Sequence, residues 1–185
     1  FLNKPFKVNI CLLENIKFEK DELEKYINKV GTDLFTDSLK KTLTQFEESD
    51  NFGSLIRPIE EDLDVIQETI SSYDFSSNIF LNSTHTRVLK VLNQAEFLRR
   101  KYQIVIANPP YMGKKGINNR MANFLEDNYK DVKHDLFSAF IVRNTYLIVN
   151  KGQLGYMTPH VWMYISSYEK LRNFLTKQFS ISNLV

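Results

Sequence analysis

The sequence predicts an α/β protein, with a mostly parallel sheet, flanking helices and a helical insertion. Three observations predict this. From residue 102 onward, apolar runs and amphipathic segments follow in the order β, α, α, β, α, β. The strand segments are apolar at nearly every position, as expected of strands covered on both faces. Residues 16–101 read mostly at the helical period.

Residues 8–13 (VNICLL) read as a short buried strand. Asp21 is placed to cap a helix ending at Val30, with Leu23, Tyr26, Ile27 and Val30 on one face and Gly31 as its stop. Residues 32–48 repeat the pattern through Leu34, Phe35, Leu39, Leu43 and Phe46, and residues 51–54 (NFGS) form a turn. Pro58 opens a helix carrying Leu63, Ile66 and Ile70. The Ser/Asn-rich stretch 71–83 reads as loop. Residues 84–101 then form an amphipathic helix with Val88, Leu89, Leu92, Ala95 and Leu98 inward. Arg99, Arg100 and Lys101 suit the negative end of its dipole.

The second half starts with a continuous apolar strand at 103–107 (QIVIA). A helix is expected over 118–129 and a long apolar one over 135–149. Lys151-Gly152 turns the chain into a strand at 153–158, which Pro159 stops. Ser166 or Ser167 starts a helix with Leu171, Phe174 and Leu175 inward, and 181–185 begins a further strand.

Bulk properties narrow the function. With 185 residues, 43% hydrophobic and 25% charged, the chain holds one core. The net charge of +2 is too small to demand a nucleic-acid partner but leaves room for a local basic face. The single cysteine, Cys11, excludes an intrachain disulfide, and His85, His134 and His160 lack metal-ligand spacing, so no metal is expected. No apolar run reaches the ~18 residues a membrane span needs, and a cytoplasmic location is the expectation. The start at Phe1 and the stop within an expected strand read as a piece of a longer protein.

The chemistry concentrates in Asn108-Pro109-Pro110-Tyr111, directly after the apolar strand. Ligands bind at the carboxyl edge of parallel strands in open α/β sheets. Two prolines fix φ and remove two backbone donors, leaving the Asn108 side chain and the Pro109 carbonyl as rigid acceptors. Tyr111 adds a flat face. Such a corner suits a planar amine, for example the exocyclic amine of adenine, whose lone pair is delocalised into its ring. Two acceptors on its hydrogens draw the nitrogen toward tetrahedral geometry and free the lone pair for attack on a sulfonium methyl. Positioning and electrostatics suffice for this, without a metal or a covalent intermediate.

These residues are similar to motif IV of N6-adenine DNA methyltransferases, which use S-adenosylmethionine. Residues 135–140 (DLFSAF) resemble motif V, 152–159 (GQLGYMTP) motif VI, and 160–162 with 166–172 the segment after it. The likeness is greatest to the PglX-type methyltransferases of BREX phage-defence systems, through 109–116 (PPYMGKKG), 158–163 (TPHVWM), 166–172 (SSYEKLR) and 51–54 (NFGS). It is dense over 102–185 and thinner over 1–101. The resemblance implies a partial Rossmann-like methyltransferase fold. In it, 1–185 is part of one catalytic domain, 16–101 is mostly helical insertion, and 102–185 runs from motif IV to the start of the motif VIII region.

The resemblance also implies roles. Asn108, Pro109, Pro110 and Tyr111 hold a flipped adenine of double-stranded DNA, and extrusion costs a few kcal/mol. On the cofactor side, Phe140 lies against the adenine of S-adenosylmethionine or packs in the core. Asp135 caps its helix or touches the cofactor. Glu14 and Asn15 stand where motif III often carries an acid. Lys114, Lys115 and Arg120 seat phosphates or form a solvated loop. The glycine-rich first motif, the ribose-binding acid, the motif VIII aromatic and a target-recognition domain have no counterpart here and are expected outside 1–185. The chain alone is therefore expected to be inactive. Other subunits of a defence complex are possible partners. Two rivals stay open: an enzyme with the same motif acting on protein glutamine or RNA, and a non-catalytic DNA-binding subunit.

Overall fold

The computed structural model describes residues 8–31, 36–59, 62–113 and 115–184. The chain divides into two compact units, Phe1–Arg99 and Arg100–Val185.

The first unit is helical. Helix α1 (Lys20–Val30) carries Asp21 and Glu22 in its first turn and Lys29 in its last, matching the helix dipole. Tyr26, Ile27 and Val30 are buried. Glu19, not Asp21, occupies the N-cap position, while Gly31 ends the helix at φ 100°, as expected. Helix α2 (Thr36–Gln45) buries Leu39 and Leu43; the expected contributions of Leu34 and Phe35 lie outside the described residues. The NFGS stretch is a helical corner rather than an open turn: α3 (Ser49–Phe52) passes into a 3₁₀ turn, Gly53–Leu55. Helix α4 (Leu63–Ser71) buries Leu63, Ile66 and Ile70. It starts five residues beyond Pro58, after Asp62 at φ 60°. Helix α5 (Ile79–Arg99) begins well inside the stretch expected to be loop. The Asn78 side chain accepts from the Leu81 amide at 3.1 Å, so this asparagine is a helix cap rather than a loop residue.

These helices enclose one core, including Tyr26, Leu43, Phe46, Leu63, Ile66, Val88, Val91, Leu92 and Ala95. Burying one such side chain contributes roughly 1.5–3 kcal/mol. The core also holds His85, whose Nδ1 meets the Tyr26 hydroxyl at 2.8 Å beside the ring of Phe75. Residues 8–13 are not a strand. A strand exists through ladder bonds to a neighbour, and no described strand lies in this helical unit; Val8, Ile10 and Leu12 are exposed. Cys11 is half-buried, which pushes its thiol pKa up.

The second unit is α/β. Strand β1 (Tyr102–Ala107) leads to α6 (Asn119–Asn128), whose Asn118 cap accepts from the Met121 amide at 2.8 Å. A 3₁₀ turn, Lys130–Val132, and α7 (Leu136–Thr145) lead back to β2 (Ile148–Tyr156). The strands pair in parallel, Ile104 opposite Gln153 through Ala107 opposite Tyr156. The expected helix over 135–149 thus ends four residues early, and the strand starts earlier than 153. The Tyr102 amide bonds the Leu147 carbonyl at 2.7 Å, so the ladder captures Ile148 and Val149. Between Ile148 and Gln153 the register breaks, with Lys151 at φ 63°. Gly152 is required there, since a Cβ would meet the Val149 carbonyl at 2.9 Å and the Gln103 carbonyl at 3.1 Å.

Beyond β2 come 3₁₀ turns at His160–Met163 and Ser166–Tyr168, then α8 (Glu169–Gln178), which buries Leu171. Residues 181–184 form no strand, and the sheet of the described residues has two strands. Coverage of both faces is not observed: Ile104 and Ile106, on one face of β1, are 61% and 81% exposed.

Candidate active site

The carboxyl end of β1 delivers the chain into Asn108-Pro109-Pro110-Tyr111. The Met157 amide bonds the Ala107 carbonyl at 3.2 Å, holding both strand ends together just before the motif. Pro109 is buried, while Asn108 and Pro110 are exposed. Tyr111 is 53% exposed. The motif is therefore a corner anchored at Pro109, with Asn108 and Tyr111 exposed to solvent.

The Tyr111 hydroxyl donates to Asn108 Oδ1 at 3.1 Å. This bond orients the amide. A carbonyl oxygen has two lone pairs, so Oδ1 keeps one for a further donor.

The far end of the loop is fastened to the start of α7. The Leu136 amide donates to the Met112 carbonyl at 3.0 Å, and Gly113 forms an antiparallel bridge with Asp135. Asp135 stands at the N-cap position of α7 in extended backbone, but its carboxylate makes no capping bond. Its Oδ2 instead accepts from the Tyr168 hydroxyl. The capping alternative for Asp135 is thereby corrected: the carboxylate is turned toward Tyr168 on one side and Gly113 on the other rather than onto the amides of the first turn. The Ser138 hydroxyl lies 2.6 Å from the carbonyls of Val132 and Asp135 and fixes the turn.

Phe140 sits half-buried in α7. Glu14 and Asn15 belong to the other unit, and both are engaged there. The Glu14 carboxylate pairs with Lys90, and its amide donates to Gln94 at 3.0 Å. Asn15 Oδ1 accepts from the Asp50 amide at 3.0 Å. Lys115 and Arg120 are exposed after the motif; Lys114 lies outside the described residues. Among the described residues no cluster of His, Cys, Asp and Glu is arranged to hold a metal ion, and no helix is long and apolar enough to cross a membrane.

Sequence reasoning missed Tyr168. A buried tyrosine needs a partner for its hydroxyl, and that was the available signal, but the partner is far away in the chain.

The Eco57I restriction-modification methylase model matches residues 6–185, and the chain belongs to that family. It is 33% identical over 140 residues to the adenine-specific methyltransferase BrxX of Escherichia coli O9:H4 (strain HS), covering 74% of this chain and 12% of that protein. It is 28% identical over 150 residues to the adenine-specific methyltransferase PglX of Lacticaseibacillus casei (strain Zhang), covering 78% and 12%. Against the type II restriction enzyme and methyltransferase RM.Eco57I of Escherichia coli it is 25% identical over 99 residues, 51% of this chain and 10% of that protein. The chain thus spans about an eighth of the two longer-matching relatives.

Proposed function

We propose that this chain provides the target-base corner of a DNA adenine N6-methyltransferase acting in phage defence or restriction-modification. The observation that carries the reading is the exposed, hydrogen-bonded Asn108–Tyr111 pair on the proline-fixed end of β1.

The residues divide the work. The free lone pair of Asn108 Oδ1 and the Pro109 carbonyl accept the two amine hydrogens of an extruded adenine. The amine nitrogen then becomes pyramidal and its lone pair nucleophilic. Tyr111 offers its ring to the base, and Pro110 stiffens the corner. The acceptors are ordered beforehand, so little reorganisation accompanies the reaction.

S-adenosylmethionine, when bound, supplies an electrophilic methyl group on its sulfonium. Of the four residues proposed for its side of the site, Phe140, half-buried in α7, fits best. Glu14, Asn15 and Asp135 fit less well, since their side chains are committed to Lys90, the Asp50 amide and Tyr168. Lys115 and Arg120, with Lys114, serve the phosphates of double-stranded DNA, as cations near an extruded base would. The whole protein works among the subunits of a BREX-like or restriction complex in the cytoplasm.

The test is base analysis of DNA from cells with and without the full-length gene. N6-methyladenine is expected only with it. Asn108→Ala lowers methylation by roughly 10²–10³-fold, the usual cost of removing one preorganised polar group. Equal N6-methyladenine in both strains sinks the reading.

A further inference from the structure

We infer that Tyr168 and Asp135 are positioning residues: they form a clasp that sets the height of the Asn108–Gly113 loop over the end of β1. The inference rests on the proposed adenine chemistry for its catalytic consequence, but its geometry stands apart from it.

The loop has two ends. The near end is fixed by the strand pair and by buried Pro109. The far end has no strand to hold it. It is held by the Leu136–Met112 amide bond and the Gly113–Asp135 bridge, both at the first residues of α7. Both are backbone contacts, and the Asp135 carboxylate lies against the same glycine.

Gly113 makes the contact close. A Cβ at that position would lie 2.7 Å from Asp135 Oδ1, nearer than real Cβ contacts come. The other oxygen of the carboxylate is taken by the Tyr168 hydroxyl. Tyr168 is 7% exposed, with its ring 5.5 Å from that of Phe137. It sits in the 3₁₀ turn that leads into α8, with its amide bonded to the Ile165 carbonyl at 3.1 Å. One carboxylate thus joins three segments that are distant in sequence: the motif loop, the start of α7 and the entry to α8. A hydrogen bond to a charged acceptor is the strong kind, and removing the phenol leaves the carboxylate poorly placed.

Near-attack geometry is sensitive to shifts of about an ångström. Loss of the clasp lets the far end rise and moves Tyr111 and Asn108 off the base. Affinity for the methyl donor is expected to stay the same in Tyr168→Phe, because Tyr168 is not among the residues proposed for the cofactor side of the site.

The experiment uses the full-length protein and three variants. Tyr168→Phe keeps the ring on Phe137 and removes only the hydroxyl. Gly113→Ala sets a methyl group against Asp135 Oδ1, so that either the loop or the carboxylate must give way and the clasp is disturbed from the loop side. Asp135→Asn keeps an oxygen acceptor for the phenol. Hydrogen exchange of peptides spanning 108–118 is read first, then kcat and the Kd for S-adenosylmethionine. Exchange is expected to speed up in Tyr168→Phe and Gly113→Ala and to stay near wild type in Asp135→Asn. The kcat of Tyr168→Phe falls about tenfold while Kd stays within about twofold. Loop exchange in Tyr168→Phe equal to wild type, or faster exchange spread evenly over α7 and α8, overturns the clasp. Absence of N6-methyladenine with the wild-type protein overturns the adenine reading instead, and the exchange data still decide the clasp.

Discussion

The two units solve the same problem differently. The helical unit closes a core on itself, from Ile16 to Leu98, with ion pairs such as Arg87–Glu22 and Lys90–Glu14 at its rim. The α/β unit buries Leu125, Phe137, Ala139 and Leu171 beside its sheet but leaves Ile104 and Ile106 exposed. Its polar pairs, Tyr111 with Asn108 and Tyr168 with Asp135, gather around one loop. The difference teaches where each unit spends its order: the first in side-chain packing, the second in holding a strand end and a corner.

That contrast can be broken or sharpened by substitution. The largest stability effect is expected in the helical core. Leu92→Ala should cost about 2–5 kcal/mol through lost transfer energy and a cavity. Urea unfolding followed by far-ultraviolet circular dichroism measures it. Fluorescence of Trp162, the single tryptophan and part of the second unit, is the control and should move less. Equal shifts by both probes would mean the division carries no energetic content.

Next comes Gly152→Ala in β2. A Cβ there runs into two backbone carbonyls, which cannot swing aside as a side chain can. A loss of about 1–3 kcal/mol is expected, seen in the Trp162 transition. No change would show that the irregular register is softer than it looks.

A smaller, pH-dependent effect belongs to His85. Burial holds its imidazole pKa below the ordinary value, with the Asp74 carboxylate opposing. The unfolded chain, with a histidine pKa of about 6.5, binds the proton first as pH falls. The contribution is thus complete above about 6.5 and is lost as pH drops through the folded-state pKa. The circular dichroism midpoint should fall from pH ~7 to pH ~5, and His85→Gln should flatten part of that fall. An identical slope in the variant rules His85 out.

The smallest effect is expected at Ile106. At 81% exposure it has little packing to lose. Ile106→Thr should stay within about 0.5 kcal/mol in the same assay. A cost comparable to that of Leu92→Ala would show that this strand face is covered in solution.

The sequence made β1, the Asn108–Tyr111 corner, the Asn118 start of α6 and the inward faces of α1 and α5 legible, because each is written in local pattern. The failures share a cause. Residues 8–13 are strand-like in composition, yet a strand needs a partner, and partnership is not local. Ile148 and Val149 continue the apolar run of α7, and the pairing of Ile148 with Tyr102 of β1 is what starts the strand there. Asn78 looked like loop until its bond to Leu81 made it a cap. Asp135 drew attention as an acid near a helix start, but its partner, Tyr168, comes from another turn of the chain. Contacts between distant segments are what single-sequence pattern reading leaves out.

The parallel pairing of β1 with β2 has a kinetic consequence. Parallel neighbours need a crossover, and here α6 and α7 lie between the strands. The closure entropy of that long connection falls due before any ladder bond forms, so the pairing comes late in folding. The corner inherits the delay. Until β2 docks and the Met157 amide reaches Ala107, Asn108 ends a lone extended segment. During synthesis, a chain that has passed Tyr111 but not yet Met157 carries every atom of the motif without the strand pairing that anchors the corner.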